Sequence, residues 1–162
     1  MNLPAPRTGS PWMSIVIGGG IAATLDIVYA ILRNGGRGRS PEWVLQSVAS
    51  GLLGESAFDG GTAAAVLGLA CHFAILLVAA FVYLQASLRL PLLRTHALAC
   101  GAIFGVLVYL FMNFVVLPAS AFPFHLTYPP LRLLEGFASH AVFVGLPIAL
   151  AVRHFAASRS PL

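Results

Sequence analysis

Charge is what this chain has least of. Only 9% of its 162 residues are Asp, Glu, Lys or Arg, against about 25% in ordinary soluble domains. Lysine is absent, and all nine basic residues are arginine. The acids are Asp26, Glu42, Glu55, Asp59 and Glu135. With 59% hydrophobic residues and a mean hydropathy of +0.90, this shortage excludes a soluble globular enzyme, a disordered tail and a conventional nucleic-acid-binding domain. The net charge of +4 does not restore nucleic acid as a partner. Phosphate-binding proteins gather their basic residues on one face, whereas most arginines here stand singly or in pairs at the ends of apolar runs. The one cluster, Arg33, Arg37 and Arg39, is spread through a glycine-rich loop.

Catalytic signatures are missing as well. Cys71 and Cys100 fall in separate apolar runs at different depths, so no disulfide is expected. No Cys-x-x-Cys or His-x-x-x-His pair marks a zinc site. Gly18-Gly19-Gly20 has neither the preceding strand nor the following Lys-Ser/Thr of a phosphate loop, and no Gly-x-Ser-x-Gly elbow occurs. The expectation is a non-enzymatic protein without a metal site.

What is present is hydrophobic length. Crossing a hydrocarbon core of about 30 Å at about 1.5 Å per residue takes about twenty apolar residues. Four segments qualify: Met13–Leu32, Thr62–Leu84, Ala97–Leu117 and Leu131–Val152. Val28-Tyr29-Ala30 resembles a signal-peptide cleavage site, but the first run is too long for such a leader and contains Asp26; it reads as a retained span. Backbone groups in lipid must pair internally, which predicts helices. Short links predict an all-α, polytopic, up-down bundle of four transmembrane helices forming one membrane domain.

The connections differ in kind. Ser40-Pro41-Glu42 reads as a helix start, with Ser as N-cap and Pro in the first turn. The helix it opens, residues 41–57, is too short to span and is expected to be amphipathic, lying along the interface or dipping into the bundle. Residues 118–130 hold four prolines and predict a stiff cap over one end. Pro147 predicts a kink in the last span. Trp12, Tyr83 and Phe155 are expected to mark one interface, and Tyr29, Trp43 and Tyr128 the other. Arginine counting gives five against four, favouring both termini in the cytoplasm.

Ionisable residues inside a bilayer usually face a bundle interior or a cavity. Small residues lead into each of them here: Gly18, Ala22 and Asp26; Ala64, Gly68 and His72; Gly101, Gly105, Tyr109 and Asn113; Gly136 and His140. Such stripes predict packing seams. His72 lies ten residues into its span and His140 nine into its own, so the two imidazoles should share a depth. Asp26 and then Glu135 lie nearer the surface. The predicted intramembrane polar cluster is therefore Asp26, His72, Asn113, Glu135 and His140. Three roles fit it: hydrogen bonding that holds the bundle together; a proton or cation relay in transport, since imidazole titrates near neutrality; or axial ligation of a b-type haem by His72 and His140.

The second half carries further recurring points: His72 with Tyr83 eleven residues on, Gly105 with Pro118 closing the third span, and Glu135 to His140 opening a last span that ends in Arg153-His154. With the Arg39-Ser40-Pro41 step, these resemble the YagU-like family of small bacterial inner-membrane proteins, over about half the chain. The resemblance implies a bacterial inner membrane, four spans and a cytoplasmic N-terminus; it implies no activity. The lipid bilayer is the expected partner, with a homodimer or a larger membrane complex, in which the chain would be an accessory subunit, as further possibilities.

Overall fold

The computed structural model describes residues 10–125 and 127–156. All regular structure among them is helical. Four helices are long and apolar enough to cross a membrane: α1 (Pro11–Gly35), α3 (Gly61–Arg89), α4 (Ala97–Ala119) and α5 (Pro130–Phe155). The shorter α2 (Pro41–Leu53) lies between the first two. Each long helix exceeds the apolar run that predicts it, because the flanking Arg, Gly and Pro residues join its terminal turns.

The outward faces carry the large aliphatic side chains. Ile21, Leu25, Val28 and Leu32 are exposed on α1, and Ile103, Leu107 and Phe111 on α4. Exposed apolar surface of this extent marks a membrane or protein contact. The inward faces are small. Ala22, Ala23, Ala80 and Ala149 are fully buried with Val144, Ile148 and Val152. α1 packs against α3 and α5, and α4 packs against α5.

Close helix approach depends on absent side chains. A Cβ at Gly105 would fall on the carbonyl oxygen of His140, and one at Gly145 on the carbonyl oxygen of Gly101. The Gly101/Gly105 stripe is thus the seam between α4 and α5. A Cβ at Gly68 would strike the Leu45 carbonyl, so that seam holds α2 rather than another long helix.

Ser40 caps α2 as expected, its Oγ accepting from the Trp43 N–H at 3.1 Å. Gly54, at φ 63°, ends it. The contact face of α2 mixes polar and apolar side chains: Gln46 and Ser50 are buried beside Val44 and Ala49, while Leu52 and Leu53 are exposed. Gln46 Nε2 donates to the Gly61 carbonyl at 3.2 Å, which pays for its burial.

Tyr83, expected at an interface, is buried. Its ring meets Phe104 edge-on and its hydroxyl donates to the Leu93 carbonyl at 2.8 Å, so it clamps the link between α3 and α4. Cys71 and Cys100 are free thiols.

Three of the long helices contain a π-helical turn: Ile15–Gly19, Met112–Val116 and His140–Gly145. The latter two each end two residues before a proline, Pro118 and Pro147. A wide turn accommodates the proline ring and its missing donor. In α5 the Leu146 N–H accordingly reaches back five residues, to the Ala141 carbonyl.

Candidate functional site

Asp26 stands on the inner face of α1, one turn beyond the fully buried Ala22 and Ala23. His72 of α3 and His140 of α5 converge on it from two sides. Asp26 Oδ2 lies 4.0 Å from His72 Nε2, and Asp26 Oδ1 lies 3.9 Å from His140 Nδ1. All three side chains are at least three-quarters covered, at 15%, 10% and 21% exposure. Two imidazoles on separate helices thus address the two oxygens of one carboxylate.

These separations exceed a direct hydrogen bond, which ends near 3.2 Å for nitrogen and oxygen. They suit an ion pair when an imidazole is protonated, or a single bridging water. His72 has a fixed partner besides: its Nε2 lies 3.0 Å from the Ala23 carbonyl oxygen. A carbonyl only accepts, so Nε2 carries the proton and donates it to Ala23. His140 packs its ring edge-on to Tyr109 at 5.0 Å and has Ser139 Oγ 3.4 Å from Nδ1.

Two cavities meet at this cluster, and Asp26, Phe122 and His140 line both. The first, of about 380 Å³, is polar. Helical spacing builds it: Asp26, Tyr29, Ala30 and Arg33 from α1, Tyr109 and Asn113 from α4, Arg132, Gly136, Ser139 and His140 from α5. A Cβ at Gly136 would strike the Tyr109 ring, so glycine there keeps the tyrosine against α5. The second cavity, of about 550 Å³, is lined chiefly by aliphatic side chains of α2, α3, α4 and α5, with His72 on its wall.

The proline-rich segment after α4 closes the polar cavity with Phe122, Phe124, His125, Thr127 and Tyr128. Its attachment is specific. The Leu117 N–H is taken by the Met112 carbonyl, and Pro118 has no N–H, so the Asn113 carbonyl lacks a helical donor. The Tyr128 hydroxyl supplies one at 2.7 Å, with its ring stacked on Phe114. Ala121 N–H also donates to the Gly51 carbonyl at 3.0 Å, joining the cap to α2.

Of the residues predicted to cluster, Asp26, His72 and His140 are brought together. Asn113 lies across the polar cavity from them, with its amide turned to the Tyr109 carbonyl at 2.9 Å. Glu135 stands apart: its carboxylate pairs with Arg33, whose Nε lies 3.1 Å away. The cause is helical phase. Glu135 is five residues before His140, off the stripe of Arg132, Gly136 and His140, and it faces the end of α1 instead. Arg132 and Ser139 are site residues that the sequence reading did not single out, while Tyr109 and Arg33 enter it only as a seam residue and a loop arginine. Their signal is spacing, since Arg33 is seven residues beyond Asp26 and Arg132 eight before His140.

The Asp26 carboxylate lies within 4.0 Å of both imidazoles named as haem ligands in the sequence reading. Among the described residues no three His, Cys, Asp or Glu side chains are grouped to hold a metal ion. No protein-family model, curated protein or solved structure matches this chain.

Proposed function

We propose that this protein is a non-enzymatic, multi-pass protein of a bacterial inner membrane that moves protons through Asp26, His72 and His140 as part of a transport cycle. The observation that carries this reading is the single carboxylate held 3.9 and 4.0 Å from two imidazoles at the base of a polar cavity. A buried charge is costly unless paired, and the groups placed to pair with the Asp26 carboxylate are the two imidazoles. Each of the three groups can hold the proton, and small movements of α1, α3 or α5 would change which one does. A purely structural cluster would be expected to close to direct hydrogen bonds; these distances leave room for exchange.

In the arrangement we infer, the long helices alternate in direction with both termini in the cytoplasm. α2 then lies in the outer leaflet beside α3, and the polar cavity opens outward. Membership of the YagU-like family is consistent with that placement and stays part of the proposal.

The test is reconstitution into vesicles holding a pH-sensitive dye, with a potassium diffusion potential as driving force. Proton entry that is lost in Asp26→Asn and in His140→Ala, both shown to be folded, is the expected result. Equal proton entry in vesicles with and without the protein would remove the proposal.

A further inference from the structure

We propose that Asp26 is also the counter-ion for a lipophilic monovalent cation whose apolar body occupies the larger cavity. This deepens the proton reading and rests on it, because proton and cation would compete for one carboxylate.

Charge singles out the residue. Arg33 is already paired with Glu135. Among the described residues, Asp26 is ion-pair partner to two imidazoles, at 3.9 and 4.0 Å, which are uncharged unless they hold a proton. A deprotonated Asp26 is therefore a net negative charge within the bundle, and a cation can replace the proton there at no net cost in charge. An anion is excluded by the same carboxylate.

The larger cavity defines the rest of the ligand. Its volume of about 550 Å³ falls in the range of small-molecule sites, about 300–1,000 Å³. Ile75, Leu76, Val108, Met112, Val116 and Val144 give it aliphatic walls, while Asp26, His72 and His140 bring its charge-bearing groups together. One charge beside a broad apolar surface complements an amphiphilic cation. A bare metal ion would find too few oxygens.

Access follows from what lines each route. Arg132 stands at the polar cavity and repels cations. The apolar cavity is flanked by the exposed Leu52 and Ala74, so entry is from the hydrocarbon side.

Binding converts protonated Asp26 and a free cation into the Asp26–cation pair and one released proton. The titratable groups around Asp26 are Tyr29 and Arg33 on α1, Cys71 and His72 on α3, and Tyr109 on α4. α5 adds Arg132 and His140, and the cap adds His125 and Tyr128; α2 adds none to either cavity.

The probe is tetraphenylphosphonium, which is apolar and permanently charged, titrated into the full-length protein in detergent under weak buffering. Saturable binding with about one proton released per cation is expected, weakening about tenfold for each pH unit of acidification once Asp26 is protonated. Asp26→Asn should abolish it. Met112→Trp, which fills part of the cavity, should weaken it at least tenfold. Binding that persists unchanged in both variants would be partition into apolar surface and overturns the proposal. Asp26-dependent proton entry without any binding overturns it too, and leaves the proton reading standing.

Discussion

Asp26 and His140 form part of the wall of two cavities of opposite character, with Oδ1 of one 3.9 Å from Nδ1 of the other. A polar space lies on one side of the pair and an aliphatic one on the other. Consequences for stability differ sharply among the residues gathered there.

His72 should matter more to the fold than Asp26. His72 donates to the Ala23 carbonyl at 3.0 Å, tying α3 to α1, while Asp26 makes no contact as short. His72→Leu is expected to cost about 1–3 kcal/mol. Asp26→Leu, which removes a charge rather than a hydrogen bond, should cost less. Thermal melting of both variants in one detergent checks the order, and a reversed order would place the main constraint on the carboxylate.

Gly105 is a seam residue with no spare room. Its Cβ position coincides with the His140 carbonyl, so even Gly105→Ala should separate α4 from α5 and cost about 1–3 kcal/mol. Gly20, where a Cβ would meet nothing within 4 Å, is the control: Gly20→Ala should hold or raise the melting temperature.

Tyr128→Phe removes one hydroxyl from the protein and one donor from the Asn113 carbonyl. A loss of about 1 kcal/mol is expected. Hydrogen exchange should quicken in the cap and in the last turns of α4, and proteolysis after Phe124 should speed up. Unchanged exchange in both places would mean that the Phe114 stacking alone holds the cap.

The Arg33–Glu135 pair is partly open to solvent, at 25% and 37% exposure. Pairs of that kind contribute little and are screened by salt. Glu135→Gln should therefore lower the melting temperature slightly at low ionic strength and not at all at high. Swapping the two charges, Arg33→Glu with Glu135→Arg, should restore most of the loss. A large effect that salt leaves untouched would place the pair deeper than its exposure indicates.

Much of this is legible in the residue order, for definite reasons. Four apolar runs and the Ser40-Pro41 start suffice to place the helices, since length and capping are local properties. The convergence of Asp26, His72 and His140 follows from small-residue stripes and equal depth, which carry information about facing sides. Glu135 does not follow, because its neighbour Arg33 is 102 residues away in the chain and depth alone does not say which side of a helix meets it. Tyr83 misleads in a similar way: a tyrosine near a helix end suits an interface, but the Leu93 carbonyl, left over by a tight link, draws it inward. The two cavities are illegible, for a gap between helices has no residue of its own.

The widened turn at His140–Gly145 behaves as a one-residue insertion in an otherwise regular helix. At 3.6 residues per turn, one residue is about 100° of rotation. Deleting a single residue there would restore regular spacing and swing the N-terminal half of α5 by about that angle. Arg132, Gly136 and His140 would leave the polar cavity together, while Ile148 and Val152 stayed in the core. The two ends of this helix are thus set in different phases, one for packing and one for the site, and the chain can change either only by keeping count between them.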